Sequence, residues 1–226
     1  QVVNVDAEKM LTGIKEDNHN EAEWIALYKK GPLYLDRLEA LKGLTKYENG
    51  TAPASVMKSA LNDKNRKIRE FAITNCNTLL LGSDSLLVKN RLMEMAKADP
   101  NSGVRTMAID KLSENFSDQS VIDLAMSLTT DSSFEVMSNA IELIGNKKPE
   151  AALTMCKKLE TESHRRVRAI VAATYAKFGN DDQFTYMISN FNRPNGGSNY
   201  MAVQSFGRYI LRCKNTSNIK TGALGI

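Results

Sequence analysis

The chain of 226 residues is 42 % hydrophobic and 25 % charged, a balance that belongs to folded globular proteins and not to disordered ones. No run approaches the roughly eighteen uninterrupted apolar residues a membrane helix needs, and a net charge of +4 is too small at this length to mark a general nucleic-acid binder. The excess is also local: between Lys147 and Arg168 seven basic residues stand against three acidic ones, and seven minus three is the whole +4.

The chain opens with "QVVNVD" and "KMLTGIKED", two short stretches around a turn, which predict a β remnant over residues 1–18, the end of a preceding β domain. Its first residue is Gln1 and not Met, which reads as a processed product or an excised fragment. From residue 20 onward helical period replaces strand alternation. The apolar segments "EAEWIALYKK", "PASVMKSAL", "SLLVKNRLMEMAKA", "QSVIDLAMSLTT", "PEAALTMCKKLE" and "DQFTYMISNF" predict one set of helices.

A second set alternates with the first and carries a repeated pattern. Residues 63–76 read "DKNRKIREFAITNC", 99–112 "DPNSGVRTMAIDKL", 131–144 "DSSFEVMSNAIELI" and 162–175 "ESHRRVRAIVAATY". In each, an acid (Asp63, Asp99, Asp131, Glu162) stands six residues before Arg69, Arg105, Met137 or Arg168, and Ile or Val precedes that anchor. The anchors are 36, 32 and 31 residues apart; a step of 32 back reaches Arg37, and a step of 31 forward reaches Asn199. The two end copies keep the apolar pattern and lack the acid, as capping repeats do. The prediction is about six helical hairpins over residues 19–213, none able to bury its apolar stripe alone, stacked as an α-solenoid. Pro53, Pro100 and Pro149 fall at predicted first turns, and Asp84, Asp118 and Asp181 at predicted helix starts. The tail 214–226, "KNTSNIKTGALGI", is polar and aperiodic and is expected to fray.

The acid before each helix suits the free N–H groups and positive end of the first turn. The arginine almost two turns later can reach the acid of the adjacent repeat. Asp63, Arg69, Asp99, Arg105, Asp131, Glu162 and Arg168 are therefore expected to form a structural ladder, interrupted at Met137. Arg165 and Arg166 lie outside it.

No catalytic motif and no metal-ligand spacing is present. His19 and His164 are the two histidines, and H-E-x-x-H, G-x-S-x-G, G-x-x-x-x-G-K-[ST] and G-x-G-x-x-G are all missing. Cys76, Cys156 and Cys213 sit in apolar helical patterns and read as buried thiols. A Cys156–His164 nucleophile pair is outweighed by a packed cysteine and a histidine at a helix start. The Gly-rich "RPNGGSN" at 193–199 follows a helical pattern and reads as an inter-helix turn.

The acid, the Val-Arg and the Ala three residues on resemble the HEAT repeat, which implies an all-α HEAT-like α-α superhelix with a short N-terminal β remnant. The junction "VVNVDAEKMLTGIKEDNHNEAEWIALYKKGPLYLDRLEAL" resembles the boundary in M1-family zinc aminopeptidases, bacterial members especially, between a β-sandwich domain and a C-terminal helical domain. That resemblance implies a non-catalytic domain that covers the catalytic cleft and limits peptide access. Its partners would be the upstream catalytic and β-sandwich domains and peptide substrates, without nucleic acid. It also implies zinc in the upstream catalytic domain only, and a periplasmic or secreted location. No catalytic or zinc residue transfers to this chain. Exposed residues of the second helices, Arg66, Arg165 and Tyr200, are candidate contacts on the concave face, and Trp24, Tyr28 and Tyr34 a candidate domain interface. The alternative is a stand-alone HEAT scaffold that binds proteins. A DNA glycosylase of HEAT-like build is disfavoured by the single Trp and the confined positive charge.

Overall fold

The computed structural model describes residues 8–10, 18–46, 53–193 and 200–225. Among these residues every regular element is helical and none is a strand. The expected β remnant falls largely, and the "RPNGGSN" loop almost wholly, outside the described residues. The chain divides into two compact units, Gln1–Asn115 and Phe116–Ile226.

The first unit contains α1 (Glu21–Lys30), α2 (Tyr34–Leu44), α3 (Ala54–Ala60), α4 (Arg66–Asn75), α5 (Asn77–Leu81), α6 (Ser85–Ala98) and α7 (Ser102–Asn115). Three hairpins form it: α1 packs on α2, α3 on α4 and α6 on α7, while the second helices α2, α4 and α7 pack in succession. The short α5 lies where the anchor spacing stretches to 36 residues, so the longer step is an inserted turn of helix.

The second unit contains α8 (Gln119–Leu128), α9 (Phe134–Lys147), α10 (Pro149–Leu159), α11 (Arg165–Phe178), a 3-10 turn at Asp181–Gln183, α12 (Phe184–Phe191), α13 (Tyr200–Ile210) and α14 (Thr216–Gly225). Here α8 packs on α9, α10 on α11 and α12 on α13, and α9, α11 and α13 follow one another as second helices.

The repeated pattern supplies the cores. The residue before each anchor (Ile68, Val104, Val136, Val167) is buried, as is the residue three beyond it (Ala72, Ala108, Ala140, Val171). Burying one Val or Ile side chain favours folding by about 1.5–3 kcal/mol, and the small alanines let second helices approach closely. Pro149 is the first residue of α10. Pro53 instead occupies the N-cap of α3, and Pro100 lies in the loop before α7.

Trp24 and Tyr28 are not free to seal an interface with another domain. Both are buried, Trp24 at 6 % exposure against α2 and Tyr28 with its hydroxyl bonded to Ser59 of α3. A Cβ added at Gly43 would fall inside van der Waals contact of the Trp24 indole, so the ring lies flat against a bare patch of α2. Tyr34 remains 40 % exposed. Lys9 reaches the same hairpin, at 3.0 Å from the fully buried Asp36 carboxylate and 2.7 Å from Glu39. Burial works against the Lys9 charge, yet the two carboxylates hold its pKa above the ordinary lysine value.

The tail does not fray. Residues 216–225 form α14, because Asp181 supplies from a distance what the tail lacks locally. Its carboxylate accepts the backbone N–H groups of Lys214 at 2.9 Å and Asn215 at 3.2 Å and the Asn218 amide at 3.0 Å. Asn215 in turn accepts the Ser217 N–H at 2.9 Å, which caps the helix. The Lys214 and Asn218 bonds lead in holding the Asp181 carboxyl below its ordinary value of 3.8. A folded-state pKa that is depressed contributes stability above the unfolded value and loses it as pH falls through the lower, folded one. Hydrogen exchange should therefore show α14 losing protection on acidification below about pH 3.8, and Asp181→Ala should remove that protection at neutral pH while α11 keeps its own. Equal protection of α14 in the variant would contradict the docking role.

Candidate interaction groove

In the first unit the anchors and acids form bidentate rungs. Arg37 donates from Nε to Asp63 Oδ2 at 2.8 Å and from Nη2 to Oδ1 at 3.1 Å. Arg69 repeats this one repeat on, with Nε at 2.7 Å and Nη2 at 2.8 Å from the Asp99 oxygens. Its Nη1 also donates to the Asp63 and Lys64 carbonyls at 2.9 and 3.1 Å, and Arg105 Nη1 donates to the Asp99 carbonyl at 2.9 Å. Each aspartate has a second task. Asp63 accepts the N–H of Asn65 at 2.7 Å and Asp99 that of Asn101 at 2.9 Å, so the acid shapes the turn that presents the N-terminal asparagine. Asn65 then accepts the Lys67 N–H at 2.8 Å, and Asn101 that of Val104 at 3.2 Å.

In the second unit the pattern changes at Met137. Asp131 still shapes its turn, accepting the Ser133 N–H at 2.7 Å. Met137 offers no guanidinium to the next acid, Glu162 is exposed, and Arg168 Nη1 turns back to its own Ser163 carbonyl.

Four further candidates have structural roles. His164 is the N-cap of α11, its Nδ1 accepting the Arg166 N–H at 3.3 Å, and its ring stacks on Phe134 with centroids 4.3 Å apart. Cys156 is fully buried, and burial pushes its thiol up to about 11. Cys76 and Cys213 are likewise buried free thiols with raised pKa values. Thiols held so far above neutrality present no nucleophile.

Arg66, Arg165 and Tyr200 are all exposed, Tyr200 at 75 %, and each is the first residue of its helix. Within the second unit, Arg165 and Tyr200 are not among the residues that line its groove. The groove of the second unit lies further along the same second helices; from Arg165 to Lys177 is twelve residues, about 18 Å of helix. Ser138 and Glu142 of α9, Ala173 and Lys177 of α11, and Gln204 and Arg208 of α13 line it, with Arg212 just beyond. Its volume is about 530 Å³, within the range of sites that hold small molecules or a few side chains.

The repeat builds this groove. Glu142, Ala173 and Gln204 are 31 residues apart, as are Lys177 and Arg208. Residues at one offset from the anchor thus fall side by side on successive helices, and that offset was the available signal. Lys177 Nζ meets Glu142 Oε1 at 2.6 Å, tying α11 to α9. Both side chains are about half exposed, so the pair sets alignment more than stability. Arg212 donates from Nε to the Gly179 carbonyl at 3.2 Å, and Tyr209 from its hydroxyl to the Asn180 carbonyl, which fixes the end of α13 against the turn after α11.

Among the described residues no three His, Cys, Asp or Glu side chains gather as a metal site, and no helix is long and apolar enough to cross a membrane. No curated protein matches the chain. Residues 89–176, from within α6 to near the end of α11, match the family model for HEAT repeats. The paired helices, the buried Ile or Val before each anchor and this match together make the fold of the described residues all-α and HEAT-like.

Proposed function

We propose that the chain is a non-catalytic HEAT-repeat scaffold that binds another protein along the second helices of its second unit. The groove across α9, α11 and α13 supports this reading most directly, since the repeated offsets place Glu142, Ala173, Lys177 and Arg208 exposed along it. HEAT repeats in general mediate protein interactions, and among the described residues the three buried thiols and the helix-capping His164 already serve structural roles. The test is site-specific photo-crosslinking. A photoreactive residue at Gln204 should capture a defined partner in the native extract, whereas one at Lys158, exposed on α10, should not. Equal capture at the two positions, or none at Gln204, overturns the scaffold reading.

A second reading is the C-terminal domain of an M1-type zinc aminopeptidase, with zinc and catalysis in upstream domains. Lys9, held by Asp36 and Glu39, supports it, because a residue ahead of α1 is pinned to the first hairpin as at a domain junction. On this reading the native polypeptide is several times heavier than 25.1 kDa and hydrolyses N-terminal residues in a zinc-dependent way. A native mass near 25.1 kDa without a longer precursor excludes it.

A further inference from the structure

We infer that the groove on α9, α11 and α13 receives an acidic peptide segment of a partner protein, whose carboxylates meet Arg208 and Arg212; this deepens the scaffold reading and rests on it. The groove's four charged side chains are Glu142, Lys177, Arg208 and Arg212. Glu142 and Lys177 satisfy each other at 2.6 Å. That leaves two guanidinium groups. Arg208 is exposed and, among the described residues, takes part in no hydrogen bond or ion pair. Arg212 uses Nε on the Gly179 carbonyl, which holds the group in place and leaves its terminal N–H groups available.

Arg208 sits in the last turn of α13 and Arg212 in the turn that follows it, four residues on. Both line the groove, and alternate side chains of an extended peptide, roughly 6–7 Å apart, can bring one carboxylate to each. Guanidinium groups bind carboxylates through paired N–H donors. Small residues, Ser138, Ala173 and Ser205, border the groove on each of its three helices, so a peptide backbone can approach. A nucleic acid suits the site less well. The Phe178 ring is already packed against the bare backbone of Gly145, with Lys177 Nζ 5.4 Å from its centroid, which leaves no free aromatic face for a base.

Fluorescence anisotropy with the whole chain tests this. The probe is a labelled twelve-residue peptide of alternating Glu and Ala, compared with its Gln isostere and a labelled twelve-nucleotide single-stranded DNA. The Glu peptide should bind at least tenfold more tightly than the Gln peptide and the DNA, and weaken as salt rises. The double variant Arg208→Glu with Arg212→Glu should lose at least tenfold in affinity, whereas Lys158→Glu, an exposed charge reversal on α10, should leave binding within twofold. Circular dichroism melts of both variants establish that they fold. Equal binding of the Glu and Gln peptides, tighter binding of DNA, or an equal loss in both variants overturns the inference. Crosslinking at Gln204 with no binding of the Glu peptide would refute the acidic partner and leave the scaffold standing; failure at Gln204 removes both.

Discussion

Arg69→Ala is expected to destabilise the first unit by about 3–5 kcal/mol, the range for removing one partner of a buried ion pair. Arg69 and Asp99 are 6 % and 7 % exposed, so the variant leaves a carboxylate that water cannot reach freely. The arginine also closes two carbonyls before α4, those of Asp63 and Lys64, and these lose their donor in the same step. Urea titration followed by circular dichroism reads the change. The double variant Arg69→Ala with Asp99→Ala should be less destabilised than the sum of the singles, because the orphaned charge is gone. Additive losses would mean that the two residues act independently, contrary to the rung geometry. Arg168→Ala serves as the contrast. Arg168 is only partly buried and turned to its own loop, and its removal should cost much less.

Trp24→Ala should cost about 3–5 kcal/mol, as for a large aromatic removed from a core. The outcome separates two roles that the bare sequence leaves open. A residue whose role is to seal against another domain would be solvated in this chain alone, and its loss would barely move the unfolding midpoint. A residue packed between α1 and α2 should destabilise the chain by itself. Gly43→Ala approaches the same contact from the other side. Alanine has the better helix propensity, by about 1 kcal/mol, yet the indole occupies the space its Cβ would need. A net loss of stability in Gly43→Ala, measured by the same urea titration, would show that the close approach outweighs propensity.

Much of the architecture was legible because the repeat is a local signal. "EAEWIALYKK" and "SLLVKNRLMEMAKA" coincide with α1 and α6 to the residue, since each begins at a cap and ends where a Gly or Asp breaks the period. Arg37 could be reached by stepping back one period, but its partner Asp63 belongs to the next repeat and was visible only as that repeat's own acid. Asn65 and Asn101 were passed over, because the acid two residues earlier looked like the cap itself. Trp24 was ambiguous for a different reason. An aromatic at helical spacing has the same pattern whether it faces a sister helix or a foreign domain, and only the bare patch at Gly43 decides between them.

The sequence by itself determined the alternation of helices, the buried β-branched and small positions around each anchor, and the acid-to-arginine offset, since these follow from the period of one helix and the chemistry of its ends. The tertiary structure alone decided which acid each arginine takes, that Asp181 nucleates α14, and that Lys177, Arg208 and Arg212 share a groove. The physical reason is common to all three. Each depends on groups far apart in the chain, brought together by how one hairpin settles on the next, and helical period carries no information about that step.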